Sequence, residues 1–163
     1  MRVRRVDLRG VSVRQRRGRI AAFLSPGGDF GLLIGHGDDS GARFCGILAK
    51  DVREVGGLAH LLFHACNCGR LFVPELARTG LATYGFVTNV LLSTDSGVEF
   101  DTCLQVLRKF PREARAKEVK AELQEAWGEL ALEFLTKRHD IVMAAVLSHL
   151  RLSLRAFEPL EPS

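Results

Sequence analysis

Apolar and polar residues alternate along much of the first half of the chain, and a period of two predicts β-strands. At the N-terminus Val6 and Leu8 share one face, and Val11 and Val13 share one face. Gly10 between these pairs shifts the phase by one residue, as a β-bulge would. The opening segment is therefore predicted to be a strand with arginines on its solvent side.

Turn and strand patterns continue to about residue 95. "SPGGD" predicts a turn between two strands, and "RLFVPEL" and "LATYGFVTNVLLST" predict further strands. Residues 42–66 fit either a helix or two more strands. Asp39 or Ser40 could cap a helix there, whereas the paired glycines at 56–57 disfavour a continuous one.

The spacing of apolar residues changes after residue 97 to three and four, which predicts helices. A short helix over 98–110 is followed by a long amphipathic helix and then by a third helix, capped by Asp140. The long helix has one apolar stripe, formed by Val119, Leu123, Trp127, Leu130 and Phe134. The third helix is apolar on most sides from Ile141 to Leu147, which predicts that it is packed between partners.

These patterns predict an α+β fold, in which a β-rich N-terminal half (about 1–95) packs with two to three C-terminal helices (about 98–157). The whole chain, 1–163, is predicted to be a single domain. Its parts are a basic β arm (1–19), a sheet-rich part (20–95) and the helical part.

The composition is that of a globular protein, with 163 residues, 47% of them apolar and 26% charged. The apolar runs are too short to cross a membrane, so no membrane partner is expected. The N-terminus lacks the apolar stretch of a secretory signal, and four cysteines without such a signal suggest a reducing compartment. We therefore expect an intracellular protein, cytoplasmic or nuclear.

The basic residues are concentrated at the N-terminus, where positions 1–19 hold eight arginines and one acid. Such an arm could bind phosphates, which makes nucleic acid an alternative partner. The arginines chosen for that role are Arg14, Arg16, Arg17 and Arg19. A mitochondrial presequence is a further interpretation, although the period of two is not helical.

Histidines and cysteines cluster in "HLLFHACNCGRLF", which raises an alternative function as a zinc protein or small enzyme centred on His64, Cys66 and Cys68. A straight strand cannot bring these side chains to one ion, so the zinc hypothesis needs a turn at "CNCG" and a further ligand such as Cys45 or Cys103. The other interpretation is that they are packed core residues. No motif assigns a catalytic residue or another cofactor.

Three short segments, "HLLF" at 60–63, "LFVPEL" at 71–76 and "CLQVLR" at 103–108, resemble the von Hippel–Lindau-type substrate receptors of cullin ubiquitin ligases. The resemblance implies a β-domain joined to a helical domain. It also implies that Cys103 occupies the buried cysteine position of a helix that docks on elongin C. The family has a leucine four residues before that cysteine, where this chain has Glu99.

The function expected from these patterns is that of a non-catalytic adaptor or assembly subunit. The last helices carry more apolar surface than a small sheet should cover, which predicts a protein partner or a homo-oligomer. The residues predicted to form that surface are Trp127, Leu130, Phe134, Val146, Leu150 and Leu154.

Overall fold

A computed structural model describes residues 11–24, 28–52, 58–90 and 97–160. The helices are α1 (Val13–Leu24), α2 (Phe72–Ala77), α3 (Val98–Leu107), α4 (Ala116–Thr136) and α5 (Ile141–Ser153). The strands are β1 (Gly28–Ile34), β2 (Arg43–Phe44), β3 (Ile47–Leu48), β4 (Leu58–His64), β5 (Ala82–Phe86) and β6 (Leu154–Phe157). A 3₁₀ turn spans Ala49–Asp51.

The main sheet has four strands in the order β1-β4-β5-β6, and β2 and β3 form a separate short hairpin. Strands β1, β4 and β5 are parallel, whereas β6 runs antiparallel to β5. The register pairs Leu33 with Phe63, and Leu62 with Tyr84. With its mixed sheet and five helices, the fold confirms the predicted α+β class.

Helices and loops cover both faces of this sheet. On one face Leu62, Tyr84 and Phe86 pack against α3, α4 and α5. On the other face Leu61 and Phe63 pack against α1, α2 and the β2–β3 hairpin. Because β4 has a parallel neighbour on each side and a layer over each face, its sequence is almost continuously apolar. None of the helices in the described ranges is long and apolar enough to span a membrane.

The predicted basic β arm is wrong for residues 13–19, which belong to α1. Ser12 and Gln15 form a capping box before this helix: the Gln15 N–H donates to the Ser12 hydroxyl at 3.4 Å, and the Ser12 N–H donates to the Gln15 side chain at 3.0 Å. Arginine and glutamine are good helix formers. The capping box and this helix propensity therefore outweigh the short alternation of apolar and polar residues that predicted a strand. The strand predicted around Val6 and Leu8, with its bulge, lies outside the described residues.

Further predictions in the first half require correction. The segment "RLFVPEL" is not a strand but contains α2. Pro74 is compatible with this helix because it lies in the first turn, where backbone N–H groups have no partner within the helix. The strand predicted before "SPGGD" is wrong, because residues 20–24 belong to α1, and the turn itself lies largely outside the described residues. Of the two alternatives for residues 42–66, the helix capped by Asp39 or Ser40 is wrong, and the strand alternative is confirmed by β2, β3 and β4.

The helical C-terminal part is confirmed, with three helices between residues 98 and 153. Asp140 caps α5, because its carboxylate accepts a hydrogen bond from the Met143 N–H at 2.9 Å. The chain then forms β6 instead of continuing as helix. Glu158, directly after β6, accepts hydrogen bonds from the N–H groups of Ala116 and Lys117, so it caps the start of α4.

Candidate functional site

The side chains predicted to bind a partner point into the protein itself, so the predicted surface is wrong. Trp127, Leu150 and Leu154 are fully buried, and the Trp127 ring packs 6.0 Å from the Phe86 ring. Phe134 and Val146 are buried, and Leu130 is partly buried against the same core: these positions complete the predicted set. They belong to the core layer that α4 and α5, together with α3, form over that face of the sheet.

A different apolar surface lies on the solvent side of α4 and α5, which the four residues 137–140 join into an antiparallel hairpin. On α4, Leu132 is 60% exposed and Leu135 is 48% exposed. On α5, Ile141, Val142 and Leu152 are each more than 70% exposed. A single exposed leucine is ordinary, but a group of large apolar side chains on one helical hairpin indicates an interaction surface.

The two helices enclose an open groove, and small residues line much of it. Gly128 and Ala131 of α4 face Ala144 and Ala145 of α5 along the groove. Arg151 lies across it: a Cβ placed on Gly128 would be 3.1 Å from the Arg151 guanidinium. The groove continues toward Leu152, where polar groups join its wall, namely Gln124, Glu125 and Glu129.

Part of the groove lining recurs at alternating spacings of four and three on both helices. On α4 the series is Ala121, Glu125, Gly128, Leu132 and Leu135. On α5 the series is Ile141, Ala145, Ser148 and Leu152. This spacing places each series on one line along its helix, which is the geometry required to pack against further helices. We call these two series, together with Glu129 and Arg151 of the same groove, the outer face.

His60 lies at the centre of a satisfied polar network on β4. Its Nε2 donates to the Arg112 carbonyl at 2.9 Å, so in the neutral ring Nδ1 accepts from the Tyr84 hydroxyl at 2.7 Å. Phe30 stacks on the ring with 4.5 Å between centroids. Burial lowers the pKa of His60 and raises that of Tyr84, so both side chains stay neutral at pH 7. The network cross-links β4 and β5 to the segment before α4.

His64, four residues further along the same strand face, is buried without a hydrogen-bond partner on either ring nitrogen. Its ring lies edge-on between Phe86 and Phe100, with centroid distances of 5.1 and 4.8 Å. Burial lowers the pKa of His64 from its ordinary value of 6.5 to about 4. The ring therefore behaves as an uncharged aromatic core residue in this environment.

The structure does not bring His64, Cys66 and Cys68 together at one point. His64 packs with the α3–α5 layer, whereas Cys68 belongs to the core on the opposite face of the sheet. The turn that a zinc site would need at "CNCG" does form, but its thiols contact the backbone: Cys66 accepts from the Val90 N–H at 3.2 Å, and Cys68 donates to the Arg43 carbonyl at 3.7 Å. The described residues contain no group of three or more side chains placed to hold a metal.

The thiol environment also opposes a reactive cysteine. Burial raises the pKa of Cys68 to about 12 and raises that of Cys103 further. Because the thiolate is the nucleophilic form, both groups are unreactive at neutral pH.

The arginines proposed for nucleic acid lie on α1, and at least two of them make contacts within the protein. Arg16 donates to the carbonyls of Val11 and Cys45, both at 2.9 Å. Arg17 forms a salt bridge with Asp51 at 2.7 Å. Arg14 and Arg19 are exposed on the same helix. Arg16 and Arg17 thus stabilise the attachment of α1.

The segments that resemble von Hippel–Lindau-type receptors lie in different kinds of elements. "HLLF" is part of β4, "LFVPEL" contains α2, and "CLQVLR" lies mostly in α3. Cys103 is fully buried, but against helices of its own chain. Comparison of the chain with protein-family models, with curated proteins and with solved structures gives no significant match in any of the three.

Sequence reasoning missed the outer face because only one apolar stripe was read on α4. Leu132 and Leu135 lie beyond that stripe, yet they continue the spacing of Ala121 and Gly128. A search for a second stripe at the same period could have found them. The sequence also predicts excess apolar surface on the last helix, but it does not show that the side chain of Ile141 faces solvent.

Proposed function

We propose that the protein is a non-catalytic adaptor or assembly subunit that binds a protein partner through the outer face of α4 and α5. The observation that carries this proposal is the exposure of Leu132, Leu135, Ile141 and Leu152 on one helical hairpin. Burying four such side chains in a complex would contribute on the order of 1.5–3 kcal/mol each, before the free-energy cost of association is subtracted.

The distribution of apolar residues supports this surface over others. Five of the nine large apolar side chains that are exposed in the described residues belong to α4 and α5. The other four, Val13, Ile34, Leu71 and Leu160, belong to different parts of the fold. Leu71 precedes α2 and is 56% exposed, so it provides a matched control.

The chemistry of the interior supports a role in contact rather than catalysis. The His60 and Tyr84 pair is buried, satisfied and neutral, and His64 is enclosed by aromatic rings. A reactive site needs a polar group that a substrate can reach, and these groups are less than 3% exposed. The four cysteines are unpaired, which supports a reducing compartment inside the cell.

Site-specific photo-crosslinking in the cells that make the protein tests the proposal. A photoreactive amino acid at position 132 should give a discrete crosslinked product, because Leu132 lies in the proposed interface. The same amino acid at position 71 should not. Absence of a discrete product at position 132, or the same products from both positions, would contradict the proposal.

A further inference from the structure

We infer that the partner of the outer face is a second copy of this chain, related by a two-fold axis, so that two α4–α5 hairpins form a four-helix bundle. This inference rests on the proposed function, because it names the partner of that surface. Four properties of the described residues support it: the spacing of the groove residues, their size, the arrangement of charge, and the area of the face.

The spacing fits helices as the partner. Alternating steps of four and three average 3.5 residues, which is the period at which helices pack with side chains inserted between those of a neighbour. Both helices of the hairpin show this period on the same side. A partner that is itself a pair of helices with the same period would match both lines at once, and a second copy of this hairpin is such a partner.

The order of side-chain sizes along the α4 series fits an antiparallel second copy. Gly128 lies at the middle of the α4 series, with Ala121 seven residues before it and Leu135 seven residues after it. In an antiparallel two-fold arrangement centred near Gly128, Ala121 of one copy meets Leu135 of the other, and Glu125 meets Leu132. Large and small side chains then interdigitate, as they do in well-packed helical interfaces.

The charges of the outer face are self-complementary. Glu125 and Glu129 lie on α4, and Arg151 lies on α5 across the same groove. Within the described residues none of the three forms a salt bridge. A two-fold axis gives every contact twice, so the Arg151 of each copy can meet the carboxylates of the other. A partner with a single sign of charge would leave one of these groups unpaired.

The area of the face is sufficient for a specific dimer. A rise of 1.5 Å per residue makes α4 about 30 Å long, and two adjacent helices are about 20 Å wide. The flat footprint of the face is therefore on the order of 600 Å². The side chains that protrude from it would add to the accessible area. Two such faces would bury about 1,200 Å² in total, which lies at the lower end of the roughly 1,200–2,000 Å² that specific interfaces bury.

Sedimentation equilibrium across a concentration series tests the inference on the whole chain. The wild-type protein should form dimers, and Leu132→Glu should weaken dimerisation by about 100-fold because it places a carboxylate in the apolar interface. Leu71→Glu introduces the same charge elsewhere and should leave the dimer unchanged. A wild-type protein that is monomeric at about 100 µM would overturn the inference, as would equal effects of the two substitutions.

A charge exchange tests the two-fold arrangement itself. Arg151→Glu should weaken its own dimer by roughly 10-fold or more, and so should the double variant Glu125→Arg/Glu129→Arg, since each brings like charges together. A mixture of the two variants should form mixed dimers. In a mixed dimer the carboxylate introduced at position 151 of one chain would meet the arginines introduced on the other, and the remaining native Arg151 would meet the native glutamates. Failure of the mixture to dimerise, with both variants folded by circular dichroism, would refute this pairing.

The identity of the crosslinked product separates this inference from the function on which it rests. A product at position 132 that contains two copies of the chain supports both. A product with a different polypeptide and a monomeric wild-type protein would refute the second copy but retain the interaction function. No product at position 132 would overturn both.

Discussion

Replacement of His64 by phenylalanine should stabilise the protein, although it removes a buried histidine. His64 fills a site between Phe86 and Phe100, and neither ring nitrogen has a hydrogen-bond partner. An unsatisfied buried polar group costs about 1–3 kcal/mol. Phenylalanine keeps a planar ring and removes both nitrogens, so we expect the free energy of unfolding at pH 7 to rise by about 1–2 kcal/mol.

The same substitution should change how stability depends on pH. In the unfolded chain His64 binds a proton below its ordinary pKa of 6.5, whereas in the folded chain it does so only near pH 4. Stability from this group is therefore complete above pH 6.5 and is lost as pH falls toward 4. The difference between these pKa values corresponds to a loss on the order of 3 kcal/mol, which the His64→Phe variant should not show.

Urea unfolding followed by circular dichroism at several pH values between 7 and 4 measures both effects. His60 provides the matched control, because it lies on the same face of β4 but both of its nitrogens are hydrogen-bonded. His60→Phe should destabilise the protein by about 2 kcal/mol or more, since it leaves the Tyr84 hydroxyl and the Arg112 carbonyl without partners. The variant His64→Leu checks that any loss of stability seen in His64→Phe does not come from overpacking of the site. Parallel pH profiles for wild type and both His64 variants would refute the reasoning.

Further predictions concern single contacts, each measured as a change in the urea midpoint. Tyr84→Phe should destabilise by about 1–2 kcal/mol, because the His60 nitrogen loses its donor; an unchanged midpoint would contradict the network. Gly37→Ala should destabilise by about 3 kcal/mol, because a Cβ there would lie 1.7 Å from the Cys66 carbonyl oxygen. Gly18→Ala, on a helix surface with no atom within 4 Å of the added carbon, should instead stabilise by about 0.5–1 kcal/mol. Glu158→Ala should cost about 1 kcal/mol through loss of the α4 cap, and no change would show that solvent replaces it.

Periodicity predicted the parts of the fold that depend on long amphipathic segments. The apolar stripe of α4 and the Asp140 cap of α5 could be predicted from the sequence because each is contained in a few turns of one helix. The strand character of "HLLFH" was harder to assign, because β4 is covered on both faces and so lacks alternation. Short elements such as α2 were mistaken for strands because six residues do not contain a resolvable period.

The candidate site depended on information that a single sequence does not contain. Trp127 and Leu132 are both apolar residues of α4, and the sequence alone does not say which of them the sheet covers. That choice follows from the antiparallel return of the chain in β6, which fixes the side of α4 and α5 that faces inward. The separation of the three candidate zinc ligands has a related cause: Cys68 follows a turn that takes it to the other face of the sheet from His64.

The position of β6 has a consequence for how the chain is synthesised. Its partner β5 ends at Phe86, so about seventy residues must emerge from the ribosome before this edge is paired. Until then β5 presents open backbone groups at the edge of the sheet, which is the condition that favours association with other nascent chains. Chaperone dependence should therefore be greatest for chains stalled just before residue 154.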